Sequence, residues 1–124
     1  MKTDRPVNIN LLKMSWPLAA LTSITHRVTG VILFVGVAFA LYALNLALSS
    51  PEGFAQAVVL LAQPLPKFIL FGLLLALIYH IVAGVKHLLL DFHYGDSLDA
   101  AQNGAVVVIV VTLILTAAIG ALLW

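Results

Sequence analysis

Charged residues fall at positions 2, 4, 5, 13, 27, 52, 67, 86, 91, 96 and 99, and the stretches between them are mostly apolar. Three stretches are long enough for a membrane-crossing helix, which needs roughly 17–25 apolar residues. They cover about 28–48, 68–85 and 104–124. The third contains the β-branched run Val106 to Val111, which in water would suit a strand. A lone strand cannot satisfy its backbone in lipid, so all three stretches predict helices. A fourth gap, 53–66, has only 14 residues and holds Gln56, Gln63, Pro64 and Pro66, so it does not predict a span. Ser50-Pro51-Glu52 reads as a helix start, with a capping hydroxyl, proline at the first helical position and an acid in the first turn. The segment 51–62 is therefore expected to form a short interfacial helix.

Composition narrows the class. Hydrophobic residues make up 63% of the 124 residues and charged residues 9%, too little charge to cover a soluble protein of this size. Disorder requires the opposite balance. The absence of cysteine removes disulfide scaffolds, thiolate metal sites, iron–sulfur ligation and cysteine nucleophiles. A net charge of +1 makes no electrostatic case for nucleic acid. The expected fold class is an all-α membrane protein with three transmembrane helices, forming one domain over 1–124.

With three spans, Lys2, Arg5, Lys13, Arg27 and Lys86 share one side, and only Lys67 lies on the other. The excess of basic residues places the N-terminus in the cytoplasm and Trp124 at the outer face as an aromatic anchor. The 27 residues before the first apolar stretch make too long an n-region for a signal peptide, and the start lacks transit-peptide character. A bacterial inner-membrane protein, retained whole, is expected.

The histidines carry the chemistry. His80 and His87 are seven apart, so their side chains lie within about 20° on one helix face. Gly84 lies on that stripe, and Asp91 joins it if the helix continues. His80 sits six residues inside Lys86, roughly 9 Å below the expected helix end. An ionisable residue at that depth reads either as a functional group or as a buried imidazole bonded to another helix. Gly84 favours the former, because a missing side chain one turn away leaves a recess for a planar cofactor. With no cysteine, a histidine-ligated haem is the natural candidate. His80 and His87 lie on one helix face and cannot approach a haem from opposite sides. A second ligand must come from His26 or from another polypeptide.

A second cluster, Ser23-Ile24-Thr25-His26-Arg27, precedes Val28-Thr29-Gly30. Ser23 and Arg27 are four apart and stack on one face. Such a pair suits haem propionates or a quinone carbonyl; the plainer alternative has Arg27 reaching lipid headgroups and Ser23 bonding the preceding turn. His93 is expected to be solvated, and Thr112 and Thr116 to bond back to their own helix.

These residues resemble a known family. Arg5-Pro6-Val7-Asn8, Ser23-x-x-His26-Arg27-x-x-Gly30, Ser50-Pro51-Glu52-Gly53-Phe54 and His80-x-x-x-Gly84-x-x-His87-x-x-x-Asp91-Phe92 occur in the order seen in the cytochrome b membrane-anchor subunit of bacterial succinate dehydrogenase, respiratory complex II. The resemblance implies a helical bundle completed by a second membrane-anchor subunit, with haem b shared between the two. It implies His80 as axial ligand of the haem iron, and His26, Arg27 and His87 near the haem. It further implies Ser23 and Arg27 in a ubiquinone site built with the iron–sulfur subunit, while succinate oxidation belongs to the flavoprotein subunit. An anchor of quinol–fumarate reductase or of another b-type respiratory complex is the alternative. A small transporter is disfavoured because no acid lies within the three spans.

Overall fold

The computed structural model describes residues 14–124. The Arg5-Pro6-Val7-Asn8 marker and the basic residues Lys2, Arg5 and Lys13 lie outside the described residues. The fold is all-α, and its elements are α1 (Leu18–Ser49), α2 (Pro51–Ala62), α3 (Pro64–Asp91) and α4 (Leu98–Leu123). Helices α1, α3 and α4 are long and apolar enough to cross a membrane.

Local chemistry explains the helix ends. Ser50 accepts a hydrogen bond from the Gly53 amide at 2.9 Å, and Pro51 follows at the first helical position. Pro64 likewise opens α3, with Gln63 alone separating it from α2. Ser97 caps α4 through the Ala100 amide at 3.3 Å. Pro17 precedes α1 and offers no side-chain cap, so the free Ala19 amide is taken by Gln102 Oε1 of α4 at 3.1 Å.

The helices extend beyond the charge-free stretches. Helix α1 starts at Leu18 rather than near Val28, and α3 continues through Lys86 to Asp91. Hydropathy marks which turns suit hydrocarbon, whereas caps and prolines end the helix. A long basic side chain within the last turns can reach for water along its own stem. The Lys86 stem also covers Gly104 of α4, where a Cβ would lie 3.2 Å from Cε.

Helices α1 and α3 run antiparallel: the Tyr79 hydroxyl donates to the Thr22 carbonyl at 2.9 Å, while Gly36 faces Leu73 farther along. Helix α4 returns along α3. Val108 packs with Tyr79, Ala83 and Val82, and Gly120 receives the Phe71 ring. At the far end Lys67 Nζ donates to the Leu123 carbonyl at 3.0 Å, and Trp124 packs against Phe68 and Phe71. The start of α1, the end of α3 and the start of α4 thus share one end of the bundle.

The buried core is made of small residues, among them Ala57, Ala76, Ala83 and Ala105. Large apolar side chains point outward; Phe34 is 80% exposed and Leu122 87%. Lipid gives apolar side chains no reason to hide from it, so close backbone approach and interhelical hydrogen bonds hold such helices together. Thr22 and Thr25 bond back to carbonyls of their own helix. The hydroxyls of Thr112 and Thr116, expected to do the same, have no partner among the described residues.

The chain leaves α3 through a Schellman turn. The Tyr94 amide donates to the Leu89 carbonyl and the His93 amide to Leu90, each at 2.9 Å, with His93 left-handed at φ 62°. The His93 side chain is solvated, 88% exposed, at 3.8 Å from Asp96. Replacing His93 with glycine removes the Cβ penalty of this conformation and is expected to stabilise the protein by about 1 kcal/mol, read by denaturation in detergent. At the α1–α3 contact, a Cβ on Gly36 would overlap the Leu73 side chain, whereas Gly72 faces open space. Gly36→Val is expected to lower stability by about 1–3 kcal/mol, and Gly72→Ala to cause no loss, in the same assay.

Candidate functional site

The antiparallel contact of α1 with α3 brings together residues more than fifty positions apart in the chain. On α3, His80, Gly84 and His87 recur at helical spacing and face α1. Into the gap between the two histidines α1 inserts the ring of His26. Its centroid lies 4.0 Å from that of His80 with the planes 13° apart, and 5.1 Å from that of His87 with the planes 59° apart. A Cβ at Gly84 would lie 3.3 Å from His26 Nε2. The recess beside His80 is present because residue 84 is glycine, but the His26 ring fills it.

His80 is held on one side only. Its Nδ1 lies 3.0 Å from the His26 carbonyl oxygen and 3.2 Å from Thr29 Oγ1. A carbonyl can only accept, so Nδ1 carries the proton and donates it. Nε2 is then the nitrogen with the free lone pair, and it makes no hydrogen bond among the described residues. The Thr29 hydroxyl donates to the same His26 carbonyl at 2.8 Å. Gly30 allows the approach, since a Cβ there would stand 3.1 Å from His80 Cε1. An interhelical hydrogen bond and a nitrogen with a free lone pair therefore coexist on one ring.

Ser23 and Arg27 belong to a different face of α1. At 100° per residue they lie within about 40° of each other, on the flank of the stripe Thr22, His26, Thr29 that meets α3. Ser23 is half-buried and Arg27 exposed. Ser23 does not bond the preceding turn, and neither its hydroxyl nor the Arg27 guanidinium has a hydrogen-bond or ion-pair partner among the described residues. The sequence groups His26 with Ser23 and Arg27; the fold separates His26, which is engaged with α3, from the other two.

Depth also changes. Because α3 continues to Asp91, His80 lies roughly 16 Å from the last helical residue rather than 9 Å. Because α1 begins at Leu18, Arg27 lies well inside that helix instead of at its mouth. Thr29 carries no assignment in the sequence, although its position three residues after His26 puts a second polar side chain on the same face.

Among the described residues no group of three or more His, Cys, Asp or Glu side chains is arranged to hold a bare metal ion. His26 and His80 lie face to face, whereas two axial imidazoles must point their nitrogens at each other across a metal.

The succinate dehydrogenase/fumarate reductase transmembrane subunit model matches residues 1–119. The chain is 33% identical to the succinate dehydrogenase cytochrome b556 subunit of Coxiella burnetii, over 100% of both chains. It is 38% identical to the cytochrome b556 subunit of Paracoccus denitrificans, covering 90% of this chain and 91% of the relative. It is 32% identical to the mitochondrial cytochrome b560 subunit of Homo sapiens, covering 90% of this chain and 68% of the relative. On this match and these identities, the chain belongs to the succinate dehydrogenase/fumarate reductase transmembrane subunit family, as one of its cytochrome b membrane anchors.

Proposed function

We propose that this anchor binds haem b through His80 and helps to form the ubiquinone-reduction site of a succinate dehydrogenase. The carrying observation is the hydrogen bond from His80 Nδ1 to the His26 carbonyl, which leaves Nε2 as a free ligand nitrogen. A haem asks the protein for axial nitrogens and supplies the other four ligands itself, which fits one histidine better than a bare ion would. The face-to-face arrangement of His26 and His80 favours a second axial ligand from another polypeptide, a second membrane-anchor subunit. When bound, haem b supplies one-electron transfer.

His26, Arg27 and His87 complete the haem's surroundings in this reading. His26 would yield the space at Gly84 to a bound haem, and Arg27 would offer its charge to a propionate. Ser23 and Arg27 serve the quinone: the Ser23 hydroxyl donates to a carbonyl, and Arg27 stabilises the negative charge that develops as that oxygen is reduced. Their lack of partners among the described residues and their common flank on α1 support this reading. The remaining partners are an iron–sulfur subunit, which delivers electrons, and a flavoprotein subunit, which oxidises succinate. The chain forms one domain in a bacterial inner membrane, with α2 at the outer interface, the N-terminus cytoplasmic and Trp124 periplasmic.

In the assembled complex, His80→Leu is expected to lose or alter the haem b absorption in a reduced-minus-oxidised spectrum. An unchanged spectrum and haem content would overturn the ligand assignment. Ser23→Ala and Arg27→Ala are each expected to slow quinone reduction by about 10²-fold, by loss of a donor to a developing charge. Succinate oxidation with an artificial acceptor that bypasses quinone is expected to continue. Near-normal quinone reduction in both variants would exclude the proposed roles.

A further inference from the structure

The geometry around His80 assigns a task to Thr29: we infer that it is the positioning residue that aims the His80 imidazole and strengthens it as a ligand. This inference rests on the reading of His80 as a haem ligand.

The seat has two oxygens and one opening. The His26 carbonyl and Thr29 Oγ1 lie 3.0 Å and 3.2 Å from His80 Nδ1, and the Thr29 hydroxyl also donates to that carbonyl at 2.8 Å. The hydroxyl proton is spent on the carbonyl, so Thr29 Oγ1 faces Nδ1 with its lone pairs. The single Nδ1 proton is therefore shared between two acceptors. Each alone leaves the ring some freedom about its side-chain torsions; together they fix the ring plane and hence the direction of Nε2. Gly30 leaves room for the ring beside α1, since a Cβ there would stand 3.1 Å from Cε1. Thr29 is 8% exposed, so its side of the seat is largely shielded from water.

The same contact changes the electronics. An imidazole whose far N–H is held by acceptors gains density on its other nitrogen and becomes a stronger donor to a metal. A stronger donor favours the more highly charged, oxidised iron. Removing one acceptor should therefore loosen the haem and raise its midpoint potential. The backbone carbonyl cannot be removed by substitution, but the hydroxyl can, since valine matches threonine in shape and lacks the oxygen.

The test uses the whole complex carrying Thr29→Val or Thr29→Ser, with His80→Leu alongside. Two quantities are read: the haem midpoint potential by optical titration, and the transfer of haem to excess apomyoglobin. Thr29→Val is expected to raise the potential and to release haem about tenfold faster or more, in line with the loss of an outer-shell partner of a metal ligand. Thr29→Ser keeps the oxygen and is expected to restore both values. A purely steric role would be met by valine, which has the same branched shape, and would leave the potential unmoved. If the valine variant matches the parent in both measurements while His80→Leu loses haem, the role of Thr29 is overturned and the ligand reading stands. If the serine variant behaves as the valine variant does, the hydroxyl is not the operative group and the proposal also fails. If His80→Leu keeps the parent spectrum, the ligand reading falls, and the role of Thr29 falls with it.

Discussion

The carbonyl of His26 lies where two membrane helices touch, and the hydrogen bonds at that contact set the site. A helix in lipid has no water to complete its polar groups, so a donor from a neighbouring helix finds few competitors. Here the donors are the Thr29 hydroxyl and the His80 ring, and they converge on one oxygen. The register of α1 against α3 follows from this contact together with the bond from Tyr79 to the Thr22 carbonyl one turn earlier. Gly30, Gly36 and Gly84 make it sterically possible by letting a ring or a leucine approach the opposite backbone. Small residues and a few polar bonds do here what a large apolar core does in water.

That economy explains how much of the exterior is apolar. Side chains such as Phe34 and Val31 on α1 and Leu113 and Ile114 on α4 face outward and contribute little to the fold of this chain. They suit lipid or the helices of other subunits. The bundle is closed at its ends instead, by Gln102 capping α1 at one end and by Lys67, Phe68, Phe71 and Trp124 at the other. Between these closures the α1–α3 contact can carry an arrangement chosen for chemistry. His26, His80 and His87 lie together at this contact.

His26 is the residue of α1 that makes the most contacts with the histidine stripe of α3. It stacks on His80, fills the space over Gly84 and contributes the carbonyl that holds His80. Its ring and its backbone therefore make separate contacts: the ring lies between the histidines of α3, while the carbonyl belongs to α1. Ser23 and Arg27, on the neighbouring flank, take no part in this contact.

The sequence by itself determined the class, the three long apolar helices and the capped start at Ser50. These follow from composition and from the 3.6-residue period, which act within a few turns and need no knowledge of neighbours. It did not determine the extent of α1 and α3, because charge marks preference for water while the backbone continues its hydrogen bonds past Lys86 and Arg27. Nor did it reveal that His26 enters the gap between His80 and His87, that Thr29 and a backbone carbonyl hold the His80 proton, or that Ser23 and Arg27 turn to another flank. Those facts depend on the register of two antiparallel helices, and a register is decided by contacts between residues far apart in the chain. A helical wheel assigns a side chain to a face, but only the packed pair of helices decides what that face meets.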